Sequence, residues 1–409
     1  MKYVALACLL VLGAPVLRSQ GGSNYSALGL GDAHFQAGGL YTAMGGTSIA
    51  MPSHYGINVV NPALLGRSVT TRLQVGYRFN QHVVRNVDER IIAQNNGELD
   101  GLLAMFSVDT ARGFGVSFGI LPFTNMAYKV QRPLSAIAGS DTIAGRSAQD
   151  GSGGTSMLHL GASVRLLHNL HFGLQFNGLF GVLSYTDRVT ADGPFNAVAS
   201  SKSYDIRGLL LKGGFTWDPS PWLMVGGYVS AGGDGSVFTT RRVTGFSGSS
   251  ILYDSTRIDE GSTGLPLLVG MGLSTPVGSG RLGADLEMQD FTSVTVNNRP
   301  DAGYTTGLRV SVGYTRPGPS TGSWWNQIGY HAGLSAQRLP VQFKGAPIYE
   351  SVIAGGLSMP LGGNAMVDAG LQLGYRGVDA PGSDLDELLG RFTVTVSIGE
   401  IWFRPFGRE

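Results

Sequence analysis

Beyond residue 70 the sequence alternates apolar and polar residues, and this period of two returns again and again to the end of the chain. Leu73, Val75, Tyr77 and Phe79 share one face, with Arg72, Gln74 and Arg78 on the other. Leu158 to Leu166 places His159, Ser163 and Arg165 against an apolar set, and Leu170 to Phe176 does the same with His171 and Gln175. Further on, Asp285 and Glu287 oppose Leu282, Ala284, Leu286 and Met288. Asp368 and Arg376 oppose Val367, Leu371, Leu373 and Tyr375, and Arg391 opposes Phe392 and Val394. A period of two is a β-strand with unlike faces, so the class is all-β.

Composition separates the β architectures. Charged residues are only 14%, against roughly 25% in soluble domains. Yet no segment after the N-terminus is apolar for the roughly 20 residues that a membrane helix needs. A transmembrane antiparallel β-barrel reconciles the two, because lipid-facing and lumen-facing residues alternate along each strand. The pattern divides into about fourteen strands over 69–403, an even number as single-chain barrels require. Short links at 110–112, 167–169, 218–220 and 362–364 alternate with long loops such as 84–97, 131–153 and 241–261; the 317–326 link is longer than this rule predicts. Short periplasmic turns and long outer loops are the barrel pattern. It puts Trp217, Trp222, Trp324, Trp325 and Trp402 at the periplasmic rim, where aromatic rings favour the headgroup interface.

Residues 1–20, with Lys2 ahead of an apolar run from Val4 to Leu17, read as a signal peptide, which implies the bacterial outer membrane after its removal. Cys8, the single cysteine, lies in that run, so the mature chain holds no disulfide. Lys+Arg 29 against Asp+Glu 28 leaves no basic excess for nucleic acid. No metal motif or phosphate loop is present, and no cofactor is expected.

Residues 21–68 lack either period and are punctuated by Gly and Pro, apart from a short helix expected near 41–49. They read as an irregular plug inside the barrel, since exposed backbone cannot be satisfied in lipid. Residues 404–409 form a polar tail.

Within the plug, 43–65 holds Gly45 and Gly46, a small-residue run, then Asn61, Pro62 and Ala63. This stretch resembles the N-terminal plug signature of the long-chain fatty-acid transporter (FadL) family of outer-membrane barrels. The third strand, GFGVSFGILPFTNMAYKV, the GSGG stretch at 151–154 and the C-terminal GEIWFRPFGRE are similar to divergent members in Bacteroidetes-like bacteria. The resemblance implies outer-membrane lipid as surroundings and passive uptake of a hydrophobic small molecule, a fatty acid or aromatic hydrocarbon. It implies a lateral route through a gap beside a kinked third strand. Here Gly115, Gly119 and Pro122 weaken that strand; the bland reading is that Pro122 ends the strand at the outer rim. Some relatives instead serve secretion machinery and bind proteins at their outer loops, which would be 131–153 and 241–261 here.

Arg72, Arg78, Arg165, Arg309, Arg376 and Arg391, with Asp285, Glu287 and Asp368, are expected in the lumen. They either line a path for a carboxylate headgroup or neutralise one another as a ladder. Asp285 and Glu287 sit two apart on one face; neither they nor the seven histidines form a recognisable catalytic frame. His159 and His171 are expected to face one lumen on adjacent strands. An enzyme is not expected.

Overall fold

The structure, a computed structural model, describes residues 22–34, 38–53, 55–85, 91–138, 141–191, 197–248, 250–296, 299–300, 303–378 and 386–402. The segment 1–20, expected as a signal peptide, and the expected tail 404–409 lie outside the described residues. The rest is a closed 14-stranded antiparallel barrel around an internal plug.

After β1 (Asp32–Ala33) in the plug come β2 (Thr71–Arg85), β3 (Ile91–Asp109), β4 (Phe114–Ala138), β5 (Asp141–Leu167), β6 (Leu170–Ala191) and β7 (Ala197–Ser220). The next wall strand is broken into β8 (Leu223–Gly232) and β9 (Asp234–Ser247), and the one after it into β10 (Ser250–Gly264) and β11 (Leu267–Val277). Then follow β12 (Gly280–Asp290), a small hairpin of β13 (Thr295–Val296) and β14 (Arg299–Pro300), and β15 (Thr306–Arg316). The wall ends with β16 (Gly329–Phe343), β17 (Ala346–Gly362), β18 (Ala365–Val378) and β19 (Glu387–Glu400). β19 pairs β2 from Glu387↔Val84 to Glu400↔Thr71, which closes the circle.

The alternation maps onto an inside-out protein. Leu73, Tyr77, Leu158, Leu160, Leu371 and Leu373 are exposed on the wall, whereas Arg72, Gln74, Arg78, His159, Gln372 and Arg376 are buried in the lumen. That is the solution for a wall with lipid outside and a filled polar interior.

The long segments 131–153 and 241–261, expected as loops, are instead antiparallel hairpins. β4 and β5 stay in register up to Ala138↔Asp141, and β9 and β10 up to Ser247↔Ser250. Most of each extension meets water, so apolar residues such as Ile251, Leu252 and Ile258 no longer alternate regularly with polar ones, and Ser, Thr and Gly break up the period. The result is a tall wall from β4 round to β10, while β11, β12 and β15 stop after 11 residues each.

In the plug, the helix expected at 41–49 is shorter and earlier: α1 spans Gly39–Ala43. It stops at Gly45 and Gly46, whose φ of 63° and 89° only glycine adopts without cost.

Candidate functional site

The plug is held by backbone contact with the wall. Asn61 precedes a 3-10 helix (Pro62–Arg67), where its Oδ1 accepts the Ala63 N–H at 3.1 Å. Its Nδ2 donates to Ile49 O within the plug and to Phe215 O on β7, both at 2.9 Å. Asparagine followed by proline suits a helix start: the side chain caps while the proline has no N–H to leave unpaired. Wall glycines give this motif its space. A Cβ on Gly214 would stand 2.3 Å from Asn61 Oδ1, and one on Gly173 2.3 Å from the Pro62 carbonyl carbon. Gly45 backs onto Leu334 in the same way, and its carbonyl accepts from Arg309 at 2.7 Å. Asp285, far from a catalytic pairing with Glu287, accepts the Ser48 and Ile49 N–H groups at 2.6 and 2.9 Å and so ties β12 to the plug.

The wall is interrupted at one place beside the plug. β3 and β4 pair from Asp109↔Phe114 up to Leu102↔Ile120 and no further, although both strands continue. Above this point, among the described residues, β3 pairs β2 alone, and β4 pairs β5 and the plug strand β1. Pro122 sits two residues past the last pair, and Gly119 one before it. At Pro122 the β4–β5 register shifts, turning Phe123 into a buried apolar cluster. Pro122 therefore does not end its strand, which runs on to Ala138. Gly115, by contrast, lies where the ladder is intact and packs near Leu65 O of the plug.

The plug's first segment stands in for the missing ladder. Gly22 N–H donates to Ala127 O at 2.8 Å and His34 N–H to Phe123 O at 2.7 Å, with Asp32 opposite Asn125 and Ala33 opposite Thr124 between them. Side chains bridge what remains of the gap: Gln94 Nε2 donates to Lys129 O at 3.3 Å, and Asn125 Nδ2 donates to Glu98.

That segment is clamped by ions. Arg376 on β18 donates to Glu350 on β17 at 2.7 and 2.9 Å, and to Asp32 and Ser23 of the plug at 2.9 Å each. Arg391 shares Glu350 at 2.8 and 2.9 Å, and Glu387 accepts from Ser23 and from the Asn24 N–H, both at 2.7 Å. Arg78 pairs Asp100 at 2.5 Å, and Asp100 also accepts the Gly38 N–H at 2.6 Å. Arg309 pairs Glu287 at 2.8 Å, Arg72 donates to Tyr55 O at 3.2 Å, and Asp368 accepts from Ser358. The charges expected in the lumen are thus spent on one another and on the plug. The partners that complete them, Glu350, Asp100, Glu98, Glu387 and Asp32, were not read from the sequence. Asp100 is turned inward by a register shift at Gly76/Tyr77, and Glu350 shares its inner face with Ile348 and Val352, so neither alternates cleanly.

Arg165, expected to line the lumen, is exposed instead: it stands opposite His171 in the last regular pair before the short turn, and its guanidinium meets Ala111 O. His159 and His171 do not meet: they oppose Asn177 and Arg165 along one ladder, well apart. His159 Nε2 lies 2.6 Å from Ser117 Oγ, but its Nδ1 has no partner among the described residues, so the orienting acid of a triad is lacking. All five tryptophans stand at the short-turn end and are exposed; Trp402 packs edge-on against Phe106 on β3.

Between plug and wall a cavity of about 110 Å³ remains, lined by Arg78, His34, Arg376 and Arg391 on one side and Leu30, Phe291 and Tyr304 on the other.

A family model described as BamG matches residues 1–406. The chain belongs to the BamG family. No curated protein sequence matches it. Its fold is that of the FadL-type barrels. A Pseudomonas aeruginosa FadL homologue superposes with a TM-score of 0.64 at 9% identity, over 91% of this chain and 100% of that one. The Ralstonia pickettii toluene transporter TbuX gives 0.60 at 11%, over 88% and 97%. The P. putida toluene transporter TodX gives 0.58 at 14%, over 91% and 100%. At such identities the likeness is one of fold: this BamG-family chain has the fold of a FadL-type barrel.

Proposed function

We propose that this chain is a passive outer-membrane channel for hydrophobic small molecules, with a lateral route between β3 and β4 that the N-terminal segment of the plug closes. One observation carries the reading: the β3–β4 ladder stops at Leu102/Ile120, and the freed edge of β4 is satisfied by plug backbone rather than by wall. In hydrocarbon an unpaired edge would be costly, so a gap there survives only if something movable covers it. The buried apolar cluster of Phe123, Met126, Leu183 and Leu265 lies beside the gap. A cavity of 110 Å³ is of the order that holds one aromatic ring, judged against the roughly 150 Å³ apolar cavity that binds benzene. By size alone the closed form admits a monoaromatic ring and not a whole fatty acid; Arg78, Glu350, Arg376 and Arg391 share the lining with Leu30 and Phe291. We also place the chain with the Bacteroidetes-like members on its third-strand and C-terminal segments.

The test uses the absence of cysteine beyond Cys8. Ala33→Cys with Thr124→Cys puts a disulfide between opposed residues of β1 and β4. Toluene and oleate uptake into cells should fall when the pair is oxidised and return on reduction. Pro122→Val should also slow uptake. Uptake that ignores the oxidation state would overturn the lateral route.

A further inference from the structure

Above the barrel, β10 runs for 15 residues, and among the described residues the ladder it forms is with β9. Its ladder with β9 is continuous from Ser250↔Ser247 to Gly264↔Asp234 apart from a bulge at Leu252. Its other edge forms no ladder over 250–260 among the described residues. The cause is the low wall next to it: β12 ends at Asp290 opposite Leu267, and β15 begins at Thr306 opposite Asp290. Only the base of β10 is covered, where Gly264 N–H donates to Thr295 Oγ1 at 3.3 Å.

This edge lies clear of the bilayer. At roughly 2.5 Å of height per residue for a tilted strand, β11 alone spans about the 25 Å apolar band, and Ile258 stands about 20 Å above it. Lipid therefore does not account for its apolar side chains. Ile251 is 60% exposed, Leu252 66%, Tyr253 57% and Ile258 67%.

The opposite margin of the tall wall is built differently. Among the described residues the outer part of β4 likewise forms a ladder with β5 alone, but it carries Lys129, Arg132 and Pro133, the residue types that blunt an edge against pairing. The 250–260 edge has no Lys or Pro, and its charges are mostly taken: Asp254 by Arg242 at 2.8 Å and Arg257 by Asp259 at 2.8 Å. Glu260 alone makes no ion pair among the described residues.

We propose that residues 250–260 are a docking edge that accepts one extended strand from a different polypeptide at the cell surface, by β-augmentation. The occupant fitted to it is a proline-free segment with β-branched or aromatic residues at alternate positions, to flank Tyr253 and Ile258, and a basic residue opposite Glu260. A second copy of this chain in the same membrane is a poor occupant. Pairing β10 with β10 antiparallel needs a two-fold axis normal to the wall, which lies in the membrane plane and would turn the partner upside down. Pairing it with β4 meets Pro133 and the blunted margin. This inference holds whether or not the lumen conducts.

The test is hydrogen exchange on the full chain in lipid nanodiscs with a synthetic nonapeptide, acetyl-TVTVKVTVT-amide, and a control with proline at the second and sixth positions. The strand peptide is expected to slow exchange at 250–260 at least tenfold, with no effect from the control and none on the Ile258→Lys variant, whose change is on an exposed hairpin. No protection at 250–260, or equal protection by the proline peptide, would overturn the proposal. Protection that arises without peptide as protein concentration rises would also overturn it, and would assign the edge to a second copy.

Discussion

Arg376 is the side chain through which the wall holds the gap-closing segment, and Arg376→Leu is the perturbation that tests it. The guanidinium is buried and spends its hydrogen bonds on Glu350 behind it and on Asp32 and Ser23 in front. Breaking a buried ion pair usually costs about 3–5 kcal/mol. Two features reduce that here: Arg391 still neutralises Glu350, and Asp32 is 22% exposed and can turn to water. The share felt by the segment is then about 2 kcal/mol. At 1.4 kcal/mol per factor of ten this is about a 30-fold rise in the detached population. Hydrogen exchange of 22–34 in nanodiscs should quicken by that order, while wall amides in β5 and β6 hold their rates. Arg391→Leu, which touches Glu350 but not the plug, should leave 22–34 unchanged. If Arg376→Leu leaves 22–34 as slow as before, the clamp is wrong; if the whole barrel speeds up, the arginine supports the wall and not the segment.

Two further outcomes follow from particular contacts. Gly214→Ala drives a Cβ to 2.3 Å from Asn61 Oδ1 and should lower thermal stability by about 1–3 kcal/mol, whereas Gly213→Ala, whose Cβ meets nothing nearer than Leu174 at 3.7 Å, should not; equal melting of the two would refute the docking of the Asn-Pro-Ala motif. Hydrogen bonding from Arg242 holds the Asp254 carboxyl below the usual carboxylate range. A lowered folded value means that its support for the β9–β10 hairpin is present above about pH 4 and is lost as the pH falls through the folded value, so amides near 250–256 should lose protection only in acid. Asp254→Asn should remove that dependence.

The barrel was legible because lipid and lumen impose opposite demands on successive residues, so Arg72, Arg78, Asp285, Glu287, Asp368, Arg376 and Arg391 declared their face by spacing alone. Where that contrast disappears, so does the signal. The outer hairpins lie largely in water and read as loops, although β4 and β5, at 25 and 27 residues, are the longest strands described. Arg165 keeps its alternation, opposite His171, but so near the turn that its side chain is exposed and not enclosed by the lumen. Glu350 and Asp100 were missed for related reasons: one shares an inner face with aliphatic residues, and the other owes its direction to a bulge.

The gap was half legible, since Gly119 and Pro122 marked where β4 would part from β3, but the replacement ladder was not. Nothing in residues 22–34 alternates, because a chain that pairs at only a few points along an edge needs no face. Its fit depends on β4 offering the Ala127 and Phe123 carbonyls and on the wall beyond β3 and β2 offering Arg376 from β18 and Glu387 from β19. These partners lie up to 364 positions away in sequence. A segment so placed is tethered by side chains that can let go together, while the β19–β2 seam and the lower β3–β4 ladder hold the barrel without it. Such a part of a barrel can move at the smallest cost, and this is the physical reason to look for the route beside β4 and not through the ion-filled centre.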